Sequence, residues 1–302
     1  MKKSLIRPAM IAGPLVLGMF IPQLSALGFM IKPLLIVMLF MVFLQLELRE
    51  LKPRAAHWAI LEANVAIGGA AYLVMSLTEN RELAWAAFFI GITPTATAAP
   101  VIMNLLRGHV GFVVSGFVVT NLGVSLALVL LIPAVTGQMN LDFTLKVFFD
   151  LLLTMALPLA LAFVLRKIHP AAETWPKRFK MLSLSIWSVM LLIISAGASN
   201  FLRNNREVSP WIVAAIAGTA AALCAVNFTL GYFIVPRRLR REGSQTLGQK
   251  NTMLTMSLAL SFASPLAALG PTFYVICHNL WNSCQLFLHD RRDAKREARR
   301  RK

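Results

Sequence analysis

Long apolar runs separated by short polar connectors make up most of the chain. These runs fall at 5–24, 29–46, 58–77, 83–106, 110–135, 146–165, 181–202, 211–235, 245–266 and 270–288. A helix needs roughly 20 mostly apolar residues to cross the hydrocarbon core of a bilayer. The pattern therefore predicts an all-α membrane protein with about ten transmembrane helices, forming a single transmembrane domain over residues 1–302.

Composition supports this class and excludes most soluble proteins. Hydrophobic residues make up 57% of the 302 residues, and charged residues only 14%. Ten spans leave no room for a soluble catalytic domain, and the chain contains no HExxH, GxSxG or paired aspartate-rich motif. We therefore expect no enzymatic activity. The cysteines, Cys224, Cys277 and Cys284, lie in apolar runs without a metal-ligand spacing, so no metal and no cofactor is predicted.

The basic residues lie mainly between the apolar runs. The net charge is +17, and at these positions it favours contact with anionic lipid headgroups over nucleic acid. Positively charged connectors stay in the cytoplasm. With the N-terminus inside, the outer segments receive only Lys32, Arg81, Lys146, Arg203 and Arg206. The sequence predicts a multi-pass protein of a bacterial inner membrane, with both termini cytoplasmic and a basic tail at 289–302 in water or against lipid.

The first apolar run follows Lys2, Lys3 and Arg7, which gives it the polarity of a signal peptide. Pro14, Pro22 and the lack of an A-x-A cleavage site favour a retained span instead. We therefore expect the first run to remain part of the transmembrane domain.

The chain divides into two halves, 5–137 and 142–288, that enter the membrane from opposite sides. Five spans in each half permit an inverted repeat. The fourth span carries ITPTATAAP and the ninth carries TLGQKNT, and both are polar interruptions in apolar sequence. Paired interruptions in two inverted halves indicate a transporter site built from discontinuous helices. The alternative is a pair of unrelated kinks.

The first interruption has the residues needed to break a helix and start another. Pro94 ends the incoming half-helix, and Thr97 is placed to cap the outgoing one, with Pro100 in its first turn. The free amides there would then point at an anion. Alternatively, Thr97 hydrogen-bonds the backbone of its own helix.

Ionisable residues inside spans are costly unless they are paired or wetted. Glu62 and Lys250 each lie about five residues from the predicted cytoplasmic end of a span, so we hypothesise an ion pair or a shared proton between them. The alternative is that each side chain snorkels to the interface. Asn64, Asn251 and His278 extend this polar set, although such residues commonly form only helix–helix hydrogen bonds.

Several short motifs in this order are similar to those of the bile acid:sodium symporter family. They are P-x-x-T-A from Pro94, LLRGHV at 105–110, LGY at 230–232, GQKNTML at 248–254 and HN at 278–279. The resemblance extends through most of the chain. It implies ten helices in two inverted repeats, crossed discontinuous helices 4 and 9, and transport of organic anions by alternating access.

The resemblance also implies which residues contact the substrate. The threonine at the helix-4 crossing matches Thr97, the asparagine of the helix-9 motif matches Asn251, and the histidine of helix 10 matches His278. We expect these residues, with the backbone amides at Ala98 and Ala99, to hold the anionic group of the substrate.

The sodium ligands of the family are largely missing from this chain. Positions where the family carries hydroxyl, amide or carboxylate side chains hold Ala99, Pro100, Val113, Phe117 and Thr246. Two glutamines of the family match Lys250 and Asn64. Sodium favours several oxygen ligands including a carboxylate, so we expect both sodium sites to be lost and Lys250 to replace the ion.

The sequence therefore predicts a sodium-independent secondary transporter of small organic anions, either facilitated or proton-linked, with Glu62 as the proton partner of Lys250. Its predicted partners are the organic anion and membrane lipids, with no nucleic acid, and the oligomeric state is open. The alternative is a membrane sensor or binding protein of the same fold that does not transport.

Overall fold

The computed structural model describes residues 13–44, 51–206 and 208–300, and nearly all of them are helical. The predicted first span begins outside the described residues and is helical over 13–20. A 3₁₀ segment, Pro22–Met30, then leads into the numbered helices. These are α1 (Ile31–Phe43), α2 (Ala55–Ser76), α3 (Arg81–Ile92), α4 (Ala98–Leu105), α5 (Val110–Thr136), α6 (Leu141–Ile168), α7 (Lys180–Asn204), α8 (Pro210–Phe233), α9 (Arg240–Gly248), α10 (Thr252–Phe262) and α11 (Pro265–Arg300).

Six helical segments of the described chain are long and apolar enough to cross a membrane. They are Pro22–Phe43, Ala55–Ser76, Val110–Thr136, Leu141–Ile168, Ser185–Asn204 and Pro210–Phe233. An all-α membrane protein is therefore confirmed. The count of ten spans and the inverted repeat stay predictions.

Two further pairs of short helices lie where the sequence predicts the fourth and ninth spans. α3 and α4 are separated by residues 93–97, and α9 and α10 by residues 249–251. Both breaks fall inside the polar interruptions of the sequence. The helices around them are too short to span a membrane alone, since 12 residues of α3 rise only about 18 Å.

Close helix packing depends on glycines that let backbones approach. A Cβ on Gly68 of α2 would lie 2.8 Å from the Ile92 Cβ and 2.9 Å from the Ile92 nitrogen at the end of α3. Gly231 of α8 is similarly placed, 2.5 Å from the Gly243 carbonyl of α9. Small residues at interfaces are typical of membrane helices, where close packing replaces the hydrophobic effect.

A second packed group consists of the Pro22–Met30 segment, α1, α6 and α7. The Pro22–Met30 segment and α1 pack against α7, and α1 also packs against the second half of α6. Lys32 of α1 forms an ion pair with Asp150 of α6. Lys32, which the charge pattern assigns to the outer side, lies in the first turn of α1, where this carboxylate offsets its charge.

The basic tail continues the last helix. α11 begins at Pro265, and its helical backbone runs without a break to Arg300. The tail predicted from residue 289 is therefore helical as far as Arg300.

Candidate functional site

The two interruptions lie against each other and pair through their backbones. Thr95 and Lys250 form an antiparallel bridge. The Ala96 amide donates to the Gln249 carbonyl (2.7 Å), and the Asn251 amide donates to the Pro94 carbonyl (2.8 Å). We call this region, residues 93–97 and 249–251, the crossing. Backbone groups that the breaks release from their helices are thus satisfied by each other.

The first interruption follows from its own sequence. Thr93 precedes Pro94 and has an extended ψ of 126°, which ends α3 at Ile92. Thr97 occupies the N-cap position of α4, as predicted, but its hydroxyl makes no capping hydrogen bond. The reason is its helical conformation (φ −62°, ψ −22°), since a capping side chain requires an extended backbone. The amide of Ala99 donates to the Ala96 carbonyl (3.1 Å) and is not open to a ligand.

Thr95 is the buried anchor of the first interruption. Its hydroxyl donates to the Thr246 carbonyl (2.5 Å) and accepts from the Thr120 hydroxyl (2.8 Å). The Asn121 side chain donates to the Thr95 carbonyl (2.8 Å) and accepts from the Asn251 side chain (3.3 Å). Two consecutive polar residues of α5 therefore hold both interruptions together.

The second interruption is held by α11. The Asn282 side chain donates to the Gln249 side chain and accepts from Gln245 of α9 (2.9 Å). The hydroxyl of Tyr274 donates to the Gly248 carbonyl (2.8 Å), which lies at the end of α9. Tyr274 thus satisfies a carbonyl that α9 would have bonded by continuing, while Asn282 ties the side chains of Gln245 and Gln249 to α11.

Lys250 is buried at the crossing, with 1% of its surface exposed. Its ammonium donates to the Asn64 side-chain oxygen and to the Gly91 carbonyl (3.2 Å). Both acceptors are neutral. The buried amine of Lys250 therefore has no carboxylate among its hydrogen-bond partners in the described part of the chain.

The hypothesised pair between Lys250 and Glu62 is not formed. Glu62 is exposed, and the side chain of α2 that reaches Lys250 is Asn64. Glu62 and Asn64 are two positions apart, which turns their side chains about 200° from each other around the helix axis. Only one of them can therefore face the crossing. The position of a residue along a span predicts its depth in the membrane but not the direction in which its side chain points.

Four helix ends meet at the crossing. α3 and α9 end there, and α4 and α10 begin there. Helix C-termini carry partial negative charge and N-termini partial positive charge. The Lys250 ammonium contacts Gly91, whose carbonyl lies in the last turn of α3, so it occupies the end that favours a cation. The N-termini of α4 and α10 are the ends that favour an anion.

The positions expected to have lost sodium ligands lie in tightly packed surroundings. Ala99 and Val113 are fully buried in one apolar cluster. Phe117 is 3% exposed, and its ring lies 6.4 Å from the ring of Phe43. Thr246 donates its hydroxyl to the Glu242 carbonyl (2.7 Å) within its own helix. Pro100 is half-buried in the first turn of α4.

His278 is buried on α11, apart in sequence from Thr97 and Asn251, the other side chains predicted to bind the substrate. It is 4% exposed and packs edge-on against Tyr274, with ring centroids 5.5 Å apart. Among the described residues, Thr97, Asn251 and His278 do not hydrogen-bond one another. The structure therefore brings Asn64 to Lys250, places Asn251 and Thr97 at the crossing, and leaves His278 one helical turn from Tyr274.

Sequence reasoning missed the polar stripe of α11 that holds the crossing. Tyr274, His278, Asn282 and Gln285 recur every three or four residues and share one helix face. Of these, only His278 was singled out. The spacing was a usable signal, because a polar face within an apolar span indicates buried hydrogen bonding.

A cavity of about 510 Å³ opens away from the crossing. It lies between the Pro22–Met30 segment, α7 and the end of α10, where Asn200, Asn204, Leu260 and Ser261 line it. Leu260 is eight residues beyond Thr252, which is about 12 Å along α10. None of the predicted substrate ligands lines this cavity.

No protein-family model matches the chain, and no curated protein sequence matches it. The resemblance to the bile acid:sodium symporter family therefore rests on the short motifs and stays a prediction.

Proposed function

We propose that the protein is a secondary transporter of small organic anions that works by alternating access without sodium. The proposal includes two inverted repeats, over 5–137 and 142–288, and cytoplasmic termini in a bacterial inner membrane. It is supported by two interrupted helices whose breaks pair at one buried place. Unwound backbone within a membrane protein is tolerated where it is buried in protein or lines a cavity, as at transporter sites.

The distribution of charge at the crossing carries the proposal. Lys250 supplies a buried cation at the C-terminal end of α3, and its two acceptors are neutral. An ammonium buried without a counter-charge is costly. An anionic substrate that binds near the starts of α4 and α10 would supply the missing negative charge and meet two positive helix ends. An organic anion therefore fits the crossing better than a neutral or cationic substrate.

The side chains at the positions that match the family's sodium ligands support independence from sodium. Ala99, Val113 and Phe117 offer no side-chain oxygen, and the hydroxyl of Thr246 is committed to the Glu242 carbonyl. Lys250 takes the place of the bound ion in this proposal. Transport is then facilitated, or linked to protons through Lys250 itself, because Glu62 faces away from it.

Substrate contacts are assigned in the same proposal to Thr97, the Ala98 amide, Asn251 and His278. Thr97 has a hydroxyl that does not cap its helix, and it is half-buried rather than enclosed. Asn251 donates one of its two side-chain N–H groups to Asn121, and the second N–H can donate to an anion. These groups would hold a carboxylate or a similar anionic group.

The test is counterflow of labelled organic acids in proteoliposomes, with sodium replaced by potassium and with acidic replaced by alkaline buffer. We expect the same rate in either cation. Lys250→Gln is expected to lower the rate about a hundredfold, since it removes the buried charge that pairs with the substrate. Lys146→Gln, which changes an exposed lysine of α6, serves as the matched control and should leave the rate unchanged.

Each other result has a defined meaning. A requirement for sodium would contradict the proposed replacement of the ion by Lys250. Saturable binding of an organic acid without counterflow would support the alternative, a sensor or binding protein of the same architecture. Equal rates in wild type and Lys250→Gln would show that the buried cation plays no part in transport.

A further inference from the structure

A second polar cavity lies at the opposite end of α9 from the crossing. Its volume is about 320 Å³. The residues that line it are Arg107, Gly108, His109, Tyr232, Arg237, Arg238, Arg240, Arg241 and Glu242. We call it the arginine pocket. Five arginines against one glutamate give the pocket a strongly positive field, which the fold concentrates in one concave place.

A buried carboxylate fixes one wall of the pocket, whereas Arg107, Arg237, Arg238 and Arg241 are exposed at its surface. Glu242 is 4% exposed and accepts from the His109 amide (2.9 Å), which fixes the 106–109 turn to α9. Arg241 donates to the Leu106 carbonyl. Gly108 permits this approach, because a Cβ there would lie 2.9 Å from the Glu242 carboxylate. The single carboxylate is therefore occupied in holding the wall.

Helix α9 adds further positive character. It begins at Arg240 directly after the 3₁₀ turn Arg237–Leu239, and its N-cap residue, Leu239, provides no side-chain acceptor. The first amides of α9 thus receive no cap from that residue, and the positive end of the helix dipole lies beside the arginines. An oxyanion could accept hydrogen bonds both from the arginine guanidinium groups and from the first backbone amides of α9.

Aromatic residues locate the pocket at the edge of the apolar region. α8 ends at Phe233, which is 62% exposed, and Tyr232 is also exposed. The Arg240 guanidinium lies 5.0 Å from the centre of the Tyr232 ring and 5.6 Å from that of Phe233. Exposed aromatic rings at the end of an apolar helix are typical of the depth at which lipid headgroups lie.

We propose that the arginine pocket binds a phosphate group, carried either by an anionic phospholipid headgroup or by a soluble phosphate compound. Guanidinium groups match the oxygen geometry of phosphate bidentately, and those of Arg237, Arg238 and Arg240 line the pocket beside one carboxylate that already accepts from the His109 amide. The site is independent of the proposed transport, because it lies at the far end of α9 from Lys250.

The experiment titrates the full-length protein in a neutral detergent and follows its thermal unfolding midpoint. The probes are dioctanoyl phosphatidylglycerol, dioctanoyl phosphatidylcholine, and inorganic phosphate against chloride at matched ionic strength. Saturable stabilisation by phosphatidylglycerol alone identifies a lipid headgroup as the source. Equal stabilisation by inorganic phosphate identifies a soluble phosphate. Phosphatidylcholine should have little effect, because its headgroup has no net charge.

Variants separate the pocket from general basic charge. Arg237→Gln combined with Arg238→Gln is expected to raise the apparent dissociation constant about tenfold. The matched control, Lys167→Gln combined with Arg178→Gln, removes two charges from exposed positions outside the pocket and should change it less than about twofold. Equal losses in both variants, or no stabilisation by any probe, would overturn the proposal.

A third variant covers the case in which the double variant does not fold. Arg240→Lys keeps the charge but removes the bidentate guanidinium. It should weaken binding about tenfold while the unfolding midpoint without ligand stays near that of wild type. Unchanged binding in this variant would mean that non-specific charge, and not a phosphate pocket, is responsible.

Discussion

Both interruptions end one helix and begin another, but different interactions cause the two breaks. The first has five residues between its helices and contains Pro94, which forces the preceding residue out of the helical conformation. The second has only three residues, 249–251, and contains no proline. Two residues of α11 hold it instead: Asn282 bonds the Gln249 side chain, and Tyr274 bonds the Gly248 carbonyl at the end of α9. One break is encoded locally and the other by tertiary contacts.

This difference separates where a break occurs from what keeps it open. Proline marks the first position, yet Thr95 is still tied to Thr120, Asn121 and the Thr246 carbonyl. Packing and hydrogen bonding therefore hold both interruptions, and proline adds to only one of them. Loss of a packing contact should consequently affect stability more than loss of the proline.

The largest effect should come from Gly68→Ala, since Gly68 packs against the end of α3 just before the first interruption. Its Cβ would lie 2.8 Å from the Ile92 Cβ and would push α2 away from the end of α3. We expect the free energy of unfolding to fall by about 3 kcal/mol. The matched control is Gly69→Ala, whose Cβ meets nothing within 4 Å. Denaturation in detergent measures both, and similar losses would contradict the close packing.

The next effect tests the second interruption. Asn282→Ala removes hydrogen bonds to Gln249 and Gln245, so we expect a loss of about 2 kcal/mol in the free energy of unfolding. Asn279→Ala is the control, since Asn279 bonds only the Val275 carbonyl of its own helix and should cost about 0.5 kcal/mol. If the two variants were equally stable, α11 would not hold the break.

A smaller effect is expected from Pro94→Ala. Removing the proline gives the unfolded chain more freedom, while Thr95 remains anchored, so the loss should be below about 1 kcal/mol. The same denaturation experiment measures it. A loss larger than that of Asn282→Ala would reverse the comparison and make proline the main support of the first interruption.

The smallest effect is expected from Glu62→Gln. Glu62 is exposed and does not contact Lys250. The free energy of unfolding should therefore change by less than about 0.5 kcal/mol, and the counterflow rate by less than about twofold. A large fall in counterflow would show that Glu62 and Lys250 meet in another conformation of the protein.

The sequence predicted the all-α membrane class and both positions at which helices break, because apolar length, Pro94 and the polar run TLGQKNT can all be read locally. For Lys250 it predicted an ion pair or a shared proton with Glu62, which is exposed. It did not identify Asn64 as the partner of Lys250 over Glu62, because the choice depends on how α2 is rotated about its axis. The contributions of Thr120, Asn121 and Asn282 were missed because they depend on which helices become neighbours.

The dependence of the second break on α11 has a consequence for biogenesis. The chain enters the membrane from its N-terminus, so α9 and α10 are made before Asn282 and Tyr274 exist. Until α11 is inserted, Gln249 and the Gly248 carbonyl lack the partners that stabilise the break. We therefore expect the crossing to mature only after the last helix has been synthesised, and truncation within α11 to leave the earlier spans inserted but the crossing unassembled.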